Sequence, residues 1–283
     1  MADEDLQQFD FPERSSDEAR KYKSRTVFWL GAGPGVVLMH ELPGLTEYVA
    51  DFGRQIADKG YTVFMPVIFG SPFPGPVGRW VNGFSLCINR EFLLFSKRTS
   101  SPVTDWLRAL CAEVHARCGG PGVGAVGLCL TGGFVLSMMV DKAVIAPVIA
   151  EPGLPFCLPG NWQKASQAAL GISPEELEKA KERSRSEEIP LVGLRFSNDW
   201  ICPARRFETL EQQFGNHFLK IEFSSNPGNH YDVRRTAHSV LTEDYGTLRK
   251  FIKKHPDQDP LTIAEPMEPD VGRWWVLLYA VWL

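Results

Sequence analysis

This 283-residue sequence has little that would direct it to nucleic acid, to a membrane or to the secretory pathway. Its formal net charge is −4, and without a basic excess nothing favours nucleic acid or an anionic membrane as a partner. The acidic residues 1–5 lack the apolar segment of a signal peptide, so we expect a cytoplasmic protein. The apolar run at residues 273–283 is far shorter than the roughly 20 residues that span a bilayer, so we expect no stable membrane insertion.

Paired cysteines are also missing. None of the six cysteines belongs to a Cys-x-x-Cys pair or has the spacing of a zinc site, so we expect no metal, and no motif indicates a cofactor. Five of the six are expected to be buried, reduced thiols of a cytosolic protein. The cysteines are Cys87, Cys111, Cys118, Cys129, Cys157 and Cys202.

Strand and helix patterns alternate through the body of the chain. This alternation predicts an α/β fold with a mostly parallel central sheet and helices on both faces. The hydrophobic content of 44% and the charged content of 23% are ordinary for a soluble globular protein. We expect one domain over residues 26–256, flanked by a polar leader over residues 1–25 and by a tail with an apolar, aromatic end over residues 257–283.

The spacing of the apolar residues predicts the individual elements. Residues 152–189 interrupt the alternation with a loop rich in proline and glycine and a charged helix, so this insertion is a candidate pocket wall or lid. The predicted strands are Thr26–Leu30, Gly35–Met39, Tyr61–Ile68, Val123–Cys129, Ala146–Glu151, Leu191–Phe196 and Phe218–Ser224. The predicted helices are Thr46–Lys59, Pro102–Cys118, Phe134–Val140, Pro174–Arg185, Pro203–Phe214 and Leu241–His255.

Residues 127–133, Gly-Leu-Cys-Leu-Thr-Gly-Gly, are the most informative part of the sequence. An apolar strand leads into Cys129 and a helical pattern follows it. This is the pattern of a nucleophile elbow, a tight turn that exposes one reactive side chain. We expect the N-terminus of the following helix to lower the pKa of the Cys129 thiol from about 8.5 toward neutrality.

An acid and a histidine follow Cys129 in the order in which α/β-hydrolases place a nucleophile, an acid and a histidine. Asp199 comes just after a predicted strand, and either His230 or His238 comes after the next one. Because ligands bind at the carboxyl ends of the strands in open α/β sheets, these groups can meet at one edge. The alternatives are that Asp199 merely caps the helix after it and that Cys129 is a buried core thiol.

The segment Val37–Gly44 ends an early predicted strand and turns into a helix. In α/β-hydrolases this loop supplies one backbone N–H of the oxyanion hole, and the residue after the nucleophile supplies the other. The candidate donors are therefore the backbone N–H groups of Leu42 and Leu130.

These motifs resemble the dienelactone hydrolase family of the α/β-hydrolase superfamily, over roughly residues 26–254. The resemblance rests on the His-Glu-Leu-Pro-Gly segment at residues 40–44, the elbow at Cys129, the strand end at Asp199 and the segment Ala237–Ser239. It implies an α/β-hydrolase fold and a cysteine nucleophile.

Four catalytic residues follow from the resemblance: Cys129 as the nucleophile, Asp199 and His238 as its triad partners, and Glu41 as the carboxylate that takes the thiol proton when substrate arrives. The serine that follows His238 favours it over His230, which stays the alternative. Glu41 could instead form a salt bridge on its loop.

The chain departs from the family pattern at Thr131, where the family has a glycine two residues after the cysteine. A threonine is compatible with the turn if its side chain points away from it. Family members that act on dienelactone bind its carboxylate through arginines, but none is assigned here. The arginines in suitable predicted loops are Arg79, Arg90, Arg234 and Arg235.

The resemblance implies a hydrolase that cleaves carboxylic esters or lactones, with a small-molecule ester or lactone as its substrate. Two alternatives stay open. One is a general carboxylesterase or thioesterase with the same triad, and the other is a hydrolase-fold binding protein without turnover. The oligomeric state does not follow from the sequence.

Overall fold

An eight-stranded sheet forms the centre of the part of the chain that the structure describes. The computed structural model describes residues 5–13, 22–75, 77–78, 82, 102–153, 167–223 and 238–241. The strands are β1 (Gln7–Phe11), β2 (Arg25–Gly31), β3 (Gly35–Met39), β4 (Thr62–Pro66), β5 (Val123–Leu128), β6 (Val144–Ala150), β7 (Leu191–Phe196) and β8 (Phe218–Phe223). Their order across the sheet is β1-β2-β4-β3-β5-β6-β7-β8.

The strands from β3 to β8 pair in parallel, whereas β1 and β2 run antiparallel to their neighbours. Successive side chains of β3 belong to opposite faces, since Val36 and Leu38 join one hydrophobic cluster and Val37 and Met39 join the other. A parallel strand that is buried on both faces has this apolar composition. The predicted α/β-hydrolase fold with a mostly parallel sheet is therefore confirmed.

Helices cover both faces of the sheet. The helices whose bounds the structure defines are α1 (Glu47–Ala57), α2 (Pro102–Cys118), α3 (Gly132–Met138), α4 (Pro174–Ser186) and α5 (Ala204–Phe214). Apolar residues of α1 and of residues 240–241 pack on one face, and those of α2, α3 and α5 pack on the other. No helix among the described residues is long and apolar enough to cross a membrane. The predicted last helix beyond Leu241 and the tail lie outside the described residues.

The leader predicted over residues 1–25 is wrong where the chain forms β1. Gln7–Phe11 pairs antiparallel with β2 at the edge of the sheet. Phe11 is buried there, its ring lies 5.8 Å from that of Trp106, and its carbonyl accepts the Trp106 indole N–H at 3.0 Å. The polar start of the strand conceals it in the sequence, because an edge strand buries only part of its surface. The other domain boundaries stay predictions.

The charged helix of the insertion, α4, packs against the body of the fold. Arg183 of α4 donates to the carbonyl of Val144, which begins β6. Glu176 accepts a hydrogen bond from Arg108 of α2, and Ala180 is fully buried. This helix packs on the body of the fold, with Arg183 of its last turn at the amino end of β6, and the pocket wall or lid over residues 152–189 stays a prediction. Residues 154–166 of the insertion lie outside the described residues.

Candidate active site

The turn at Cys129 has the geometry of a nucleophile elbow. β5 ends just before Cys129, which adopts a left-handed backbone with φ of 50°, and a 3₁₀ turn over Cys129–Thr131 leads into α3. A non-glycine residue at positive φ is uncommon and persists where its surroundings hold it. Gly127 permits the tight return of the chain, because a Cβ there would lie 2.4 Å from the Thr131 carbonyl oxygen.

The Thr131 side chain points into the elbow, where its hydrogen bonds make a threonine compatible with the turn. Its hydroxyl accepts a hydrogen bond from the Leu128 backbone N–H at 2.9 Å. The hydroxyl proton can go to the Leu128 carbonyl at 2.9 Å or to the Met39 carbonyl at 3.2 Å. Because Met39 ends β3 and Leu128 ends β5, Thr131 links these two neighbouring strands.

His238 bridges Asp199 and Cys129. Its Nδ1 lies 2.7 Å from Asp199 Oδ2, and its Nε2 lies 3.0 Å from Cys129 Sγ. With Nδ1 donating to the carboxylate, Nε2 is left as the acceptor of the sulfur proton. The structure therefore brings together three sequence-predicted side chains in the order thiol, imidazole and carboxylate.

Asp199 uses its two oxygens for two purposes. Oδ1 accepts the backbone N–H groups of Ile201 at 2.8 Å and Cys202 at 3.0 Å, in the turn before α5, and Oδ2 faces His238. The residue is 2% exposed. Asp199 therefore supports the turn before α5 and does not cap that helix, whose N-cap is Pro203, while its other oxygen orients the imidazole.

The pKa of the Cys129 thiol is raised well above its ordinary value, so the expected lowering is wrong. Burial is the largest cause, and the negative charges of Glu41, Glu151 and Asp199 raise it further. The Leu130 backbone N–H acts in the opposite direction. One backbone N–H does not outweigh the loss of water together with the neighbouring acidic groups, so the folded site favours the neutral thiol over the thiolate.

Glu41 belongs to the same buried site. Its Oε1 accepts the Ser239 hydroxyl at 2.6 Å, and its charge is the largest Coulombic influence on the Cys129 thiol. The serine that follows His238 in the sequence therefore contacts the loop after β3. This contact holds residues 238–241 against that loop.

The loop after β3 also positions the candidate oxyanion donors. Met39 pairs with Gly127 in the β3–β5 register, so the loop and the elbow leave the sheet side by side. Leu42 lies in a turn that the Gly44 N–H closes on the Glu41 carbonyl at 2.8 Å. Asn82, for which the sequence suggests no role, donates to the Pro43 carbonyl at 2.9 Å.

His40 fixes the start of this loop as a neutral residue. Its Nε2 accepts the Ile68 backbone N–H at 3.1 Å, so Nδ1 carries the proton and donates to the Glu41 carbonyl at 3.1 Å. Burial lowers the pKa of His40 to about 4. The sequence assigns His40 only to a motif, because its two backbone partners are visible only in the folded chain.

Glu151 is a site residue that sequence reasoning missed. The sequence predicts it as the last residue of a strand, but β6 ends at Ala150 and Glu151 has a left-handed backbone with φ of 36°. It is fully buried, and within the described part of the chain neither carboxyl oxygen has a hydrogen-bond partner. The signal available in the sequence was its position directly after a buried strand.

The remaining candidates lie outside the described residues. These are the alternative histidine His230 and the four loop arginines Arg79, Arg90, Arg234 and Arg235. Among the residues that the structure does describe, no group of three or more His, Cys, Asp or Glu side chains is arranged to hold a metal ion.

Comparison with known proteins identifies the family. The model of the dienelactone hydrolase family matches residues 29–238. The chain belongs to the dienelactone hydrolase family. It is 27% identical over 220 residues to a Saccharomyces cerevisiae protein provisionally named a carboxymethylenebutenolidase. The alignment covers 76% of this chain and 73% of the yeast protein.

Solved structures agree on the fold. A Klebsiella pneumoniae protein provisionally named a dienelactone hydrolase has a TM-score of 0.50 at 14% identity, over 77% of this chain and 85% of that chain. A cold-adapted esterase from an Arctic intertidal metagenomic library has a TM-score of 0.51 at 12% identity, over 79% of this chain and 88% of that chain.

Proposed function

We propose that this family member hydrolyses carboxylic esters or lactones with Cys129 as its nucleophile. The observation that carries the proposal is the placement of His238, with Nε2 at 3.0 Å from Cys129 Sγ and Nδ1 at 2.7 Å from Asp199 Oδ2. A nucleophile, a base within hydrogen-bonding distance and a group that orients the base are the parts that covalent acyl transfer needs.

In the proposed reaction, the Cys129 sulfur attacks the carbonyl carbon while His238 Nε2 takes the sulfur proton. The carbon–sulfur bond forms, the bond to the leaving oxygen breaks, and His238 returns the proton to that oxygen. Water then attacks the thioester with His238 as the base, which releases the acid and restores the thiol. Asp199 keeps Nδ1 protonated and stabilises the imidazolium during both steps.

Backbone N–H groups complete the proposed site. Leu130 follows the nucleophile, and its N–H already acts on the sulfur, while Leu42 lies on the neighbouring loop. We propose that these two N–H groups bind the oxyanion of the tetrahedral intermediate. One such donor typically contributes about 2.7–4 kcal/mol to transition-state stabilisation.

The proton acceptor can be tested separately. The family resemblance implies Glu41, but the geometry favours His238, because Nε2 lies 3.0 Å from the sulfur whereas Glu41 Oε1 accepts the Ser239 hydroxyl. For Glu41→Gln we expect a pH–rate profile whose alkaline limb is unchanged. Loss of that limb would instead make Glu41 the partner of the thiol.

Lactones are the first substrate class to test, because the yeast relative is provisionally named for lactone hydrolysis. A panel of lactones, p-nitrophenyl esters and acyl thioesters would separate a lactone hydrolase from a general carboxylesterase or a thioesterase. A thiol nucleophile also suits a reducing compartment, so we propose that the protein is cytoplasmic.

The decisive experiment compares Cys129→Ala with the matched control Cys118→Ala, which changes a cysteine at the end of α2. We expect Cys129→Ala to lower kcat by at least about 10³-fold, and Cys118→Ala to retain activity. Mass spectrometry should detect an acyl adduct on Cys129 of the wild type. A wild type no faster than Cys129→Ala on every substrate of the panel would indicate a binding protein without turnover.

A further inference from the structure

Glu151 lies beside Cys129 at the carboxyl edge of the sheet. The β5–β6 register pairs Leu128 with Ala150, so the residues that follow them, Cys129 and Glu151, leave their strands side by side. Both have left-handed backbones, with φ of 50° and 36°. This conformation costs a non-glycine residue about 1–3 kcal/mol and tends to persist at functional sites.

The sheet holds Glu151 in this place. Its backbone N–H donates to the Leu194 carbonyl of β7 at 2.7 Å, and the Gly153 N–H donates to the Cys129 carbonyl at 3.0 Å. A Cβ on Gly153 would lie 3.2 Å from Cys129 Sγ, so the loop that begins with Glu151 lies against the sulfur. The elements that position the thiol therefore also position this carboxyl.

The Glu151 carboxyl is buried among other acidic groups. It is 0% exposed, and no described group forms a hydrogen bond with either oxygen. Burial raises the pKa of this carboxyl well above its ordinary value, the charges of Glu41 and Asp199 raise it further, and the Val240 backbone N–H opposes the rise. An unsatisfied buried acid is expensive for a fold, which favours a purpose beyond packing.

The elements around Glu151 present titratable or charged groups from several directions. Arg206 of α5 donates to the backbone carbonyls of Ala169, Pro152 and Ile201, so part of its donor capacity is used within the fold. The groups that face this part of the site are Glu41 after β3, Cys129 after β5, Asp199 and Cys202 after β7, Arg206 of α5, and His238.

We propose that Glu151 is a positioning residue that controls the protonation of the Cys129 sulfur. It places a negative charge beside the sulfur before the thiol can ionise, and so keeps Cys129 a neutral thiol in the free enzyme. This inference rests on the proposed function of Cys129.

The order in which the two acids ionise gives the mechanism. A carboxyl loses its proton at a lower pH than a thiol in similar surroundings, so Glu151 becomes charged first and then opposes the thiolate. Transfer of the proton to His238 during the reaction keeps the proton inside the site and leaves its net charge unchanged. Glu151 therefore opposes loss of the proton to solvent more than it opposes catalysis, and this protects the sulfur from unwanted alkylation and oxidation.

The test measures the rate of alkylation by iodoacetamide against pH, with the product mapped to Cys129 by mass spectrometry. For Glu151→Gln, which keeps the shape and removes the charge, we expect the midpoint of Cys129 alkylation to fall by about one pH unit. Below both midpoints this corresponds to alkylation about tenfold faster. Glu151→Asp, which keeps a carboxyl, should retain the wild-type midpoint.

Glu188→Gln is the matched control. Glu188 also has a left-handed backbone, with φ of 51°, but its side chain is 72% exposed and it comes just before β7, at the amino edge. In Glu188→Gln we expect the midpoint of Cys129 alkylation to stay at its wild-type value. An unchanged midpoint in Glu151→Gln, or an equal shift in Glu151→Asp, would overturn the proposal.

A measurement on the wild type covers the case in which Glu151→Gln does not fold. In an infrared titration, the band of the protonated carboxyl should disappear at a lower pH than the S–H band of Cys129, and the reverse order would overturn the proposal. The proposed function fails by a different result, namely retained ester hydrolysis in Cys129→Ala. Loss of hydrolysis in that variant with an unshifted Glu151→Gln midpoint would reject the role of Glu151 alone.

Discussion

The two edges of the sheet differ in how their buried ionisable side chains are hydrogen-bonded. At the amino edge, the side chain of Arg183 is 8% exposed, and its guanidinium nitrogens donate to backbone carbonyls and to Glu187. At the carboxyl edge, Glu151 is fully buried, and its oxygens have no hydrogen-bond partner among the described residues. An unsatisfied buried polar group destabilises a fold, so the hydrogen bonds of Arg183 favour stability at the amino edge, whereas the Glu151 carboxyl lowers it at the carboxyl edge.

The largest effect should come from the carboxyl edge. We expect His238→Ala to lower kcat by about 10³-fold or more, because the thiol then has no base at 3.0 Å. The control is His230→Ala, for which we expect a loss of less than about tenfold. Steady-state kinetics on the best ester of the panel would measure both variants. Equal small losses would mean that neither histidine completes a triad.

The amino edge should respond in stability and not in activity. Arg183→Met would leave the carbonyls of Met139 and Val144 without this donor, and we expect the free energy of unfolding to fall by about 3–5 kcal/mol. The control is Arg185→Met, since the Arg185 side chain is 57% exposed. Urea unfolding would measure both. A loss below about 1 kcal/mol for Arg183→Met would remove the contrast between the edges.

Stability at acid pH should depend on the carboxyl edge through His40. Burial lowers its pKa from 6.5 to about 4, so the unfolded chain binds this proton before the folded chain does. The contribution is complete above pH 6.5 and is lost as the pH falls through about 4. We expect the wild type to lose about 3 kcal/mol more than His40→Gln over that range, measured by urea unfolding at several pH values. If the free energies of unfolding of the wild type and His40→Gln changed in parallel with pH, His40 would not be a buried, neutral side chain.

The smallest effect should come from the link between the two loops of the site. Thr131→Val removes the acceptor of the Leu128 N–H, and we expect a loss of about 1–3 kcal/mol in the free energy of unfolding. Thr131→Ser keeps the hydroxyl and should lose less than about 1 kcal/mol. Thermal and urea unfolding would compare the two variants. Equal losses would indicate that the methyl group, and not the hydroxyl, matters at this position.

Much of the candidate site could be predicted because short sequence patterns indicate the strand ends at which its residues lie. The apolar strand before Cys129 and the strand before Asp199 are visible as runs of buried residues, and parallel strands end at a common edge. The choice of His238 over His230 depended on the family resemblance. The structure brings His238 to Cys129 and Asp199, while the catalytic roles of these residues stay predictions.

The failures share a cause. The prediction of a lowered pKa for the Cys129 thiol was wrong because it took account of the helix N-terminus alone. Desolvation and three carboxylates from distant segments raise that pKa. The hydrogen bonds of the Thr131 hydroxyl were not predicted, because one partner, Met39, is 92 residues distant in sequence. Strand β1 was missed because an edge strand that begins with two exposed glutamines resembles a polar leader.

The sequence by itself determined the alternation of strands and helices, the order of Cys129, Asp199 and His238 after their strands, and the turn at Cys129. These depend on the periodicity of apolar residues and on small residues at tight turns, which are local properties. The tertiary structure decided the protonation state of the thiol, the neutral state of His40 and the presence of Glu151 beside the sulfur. Each of these depends on the water that folding removes and on charges that folding brings near, and neither quantity is a property of a short segment.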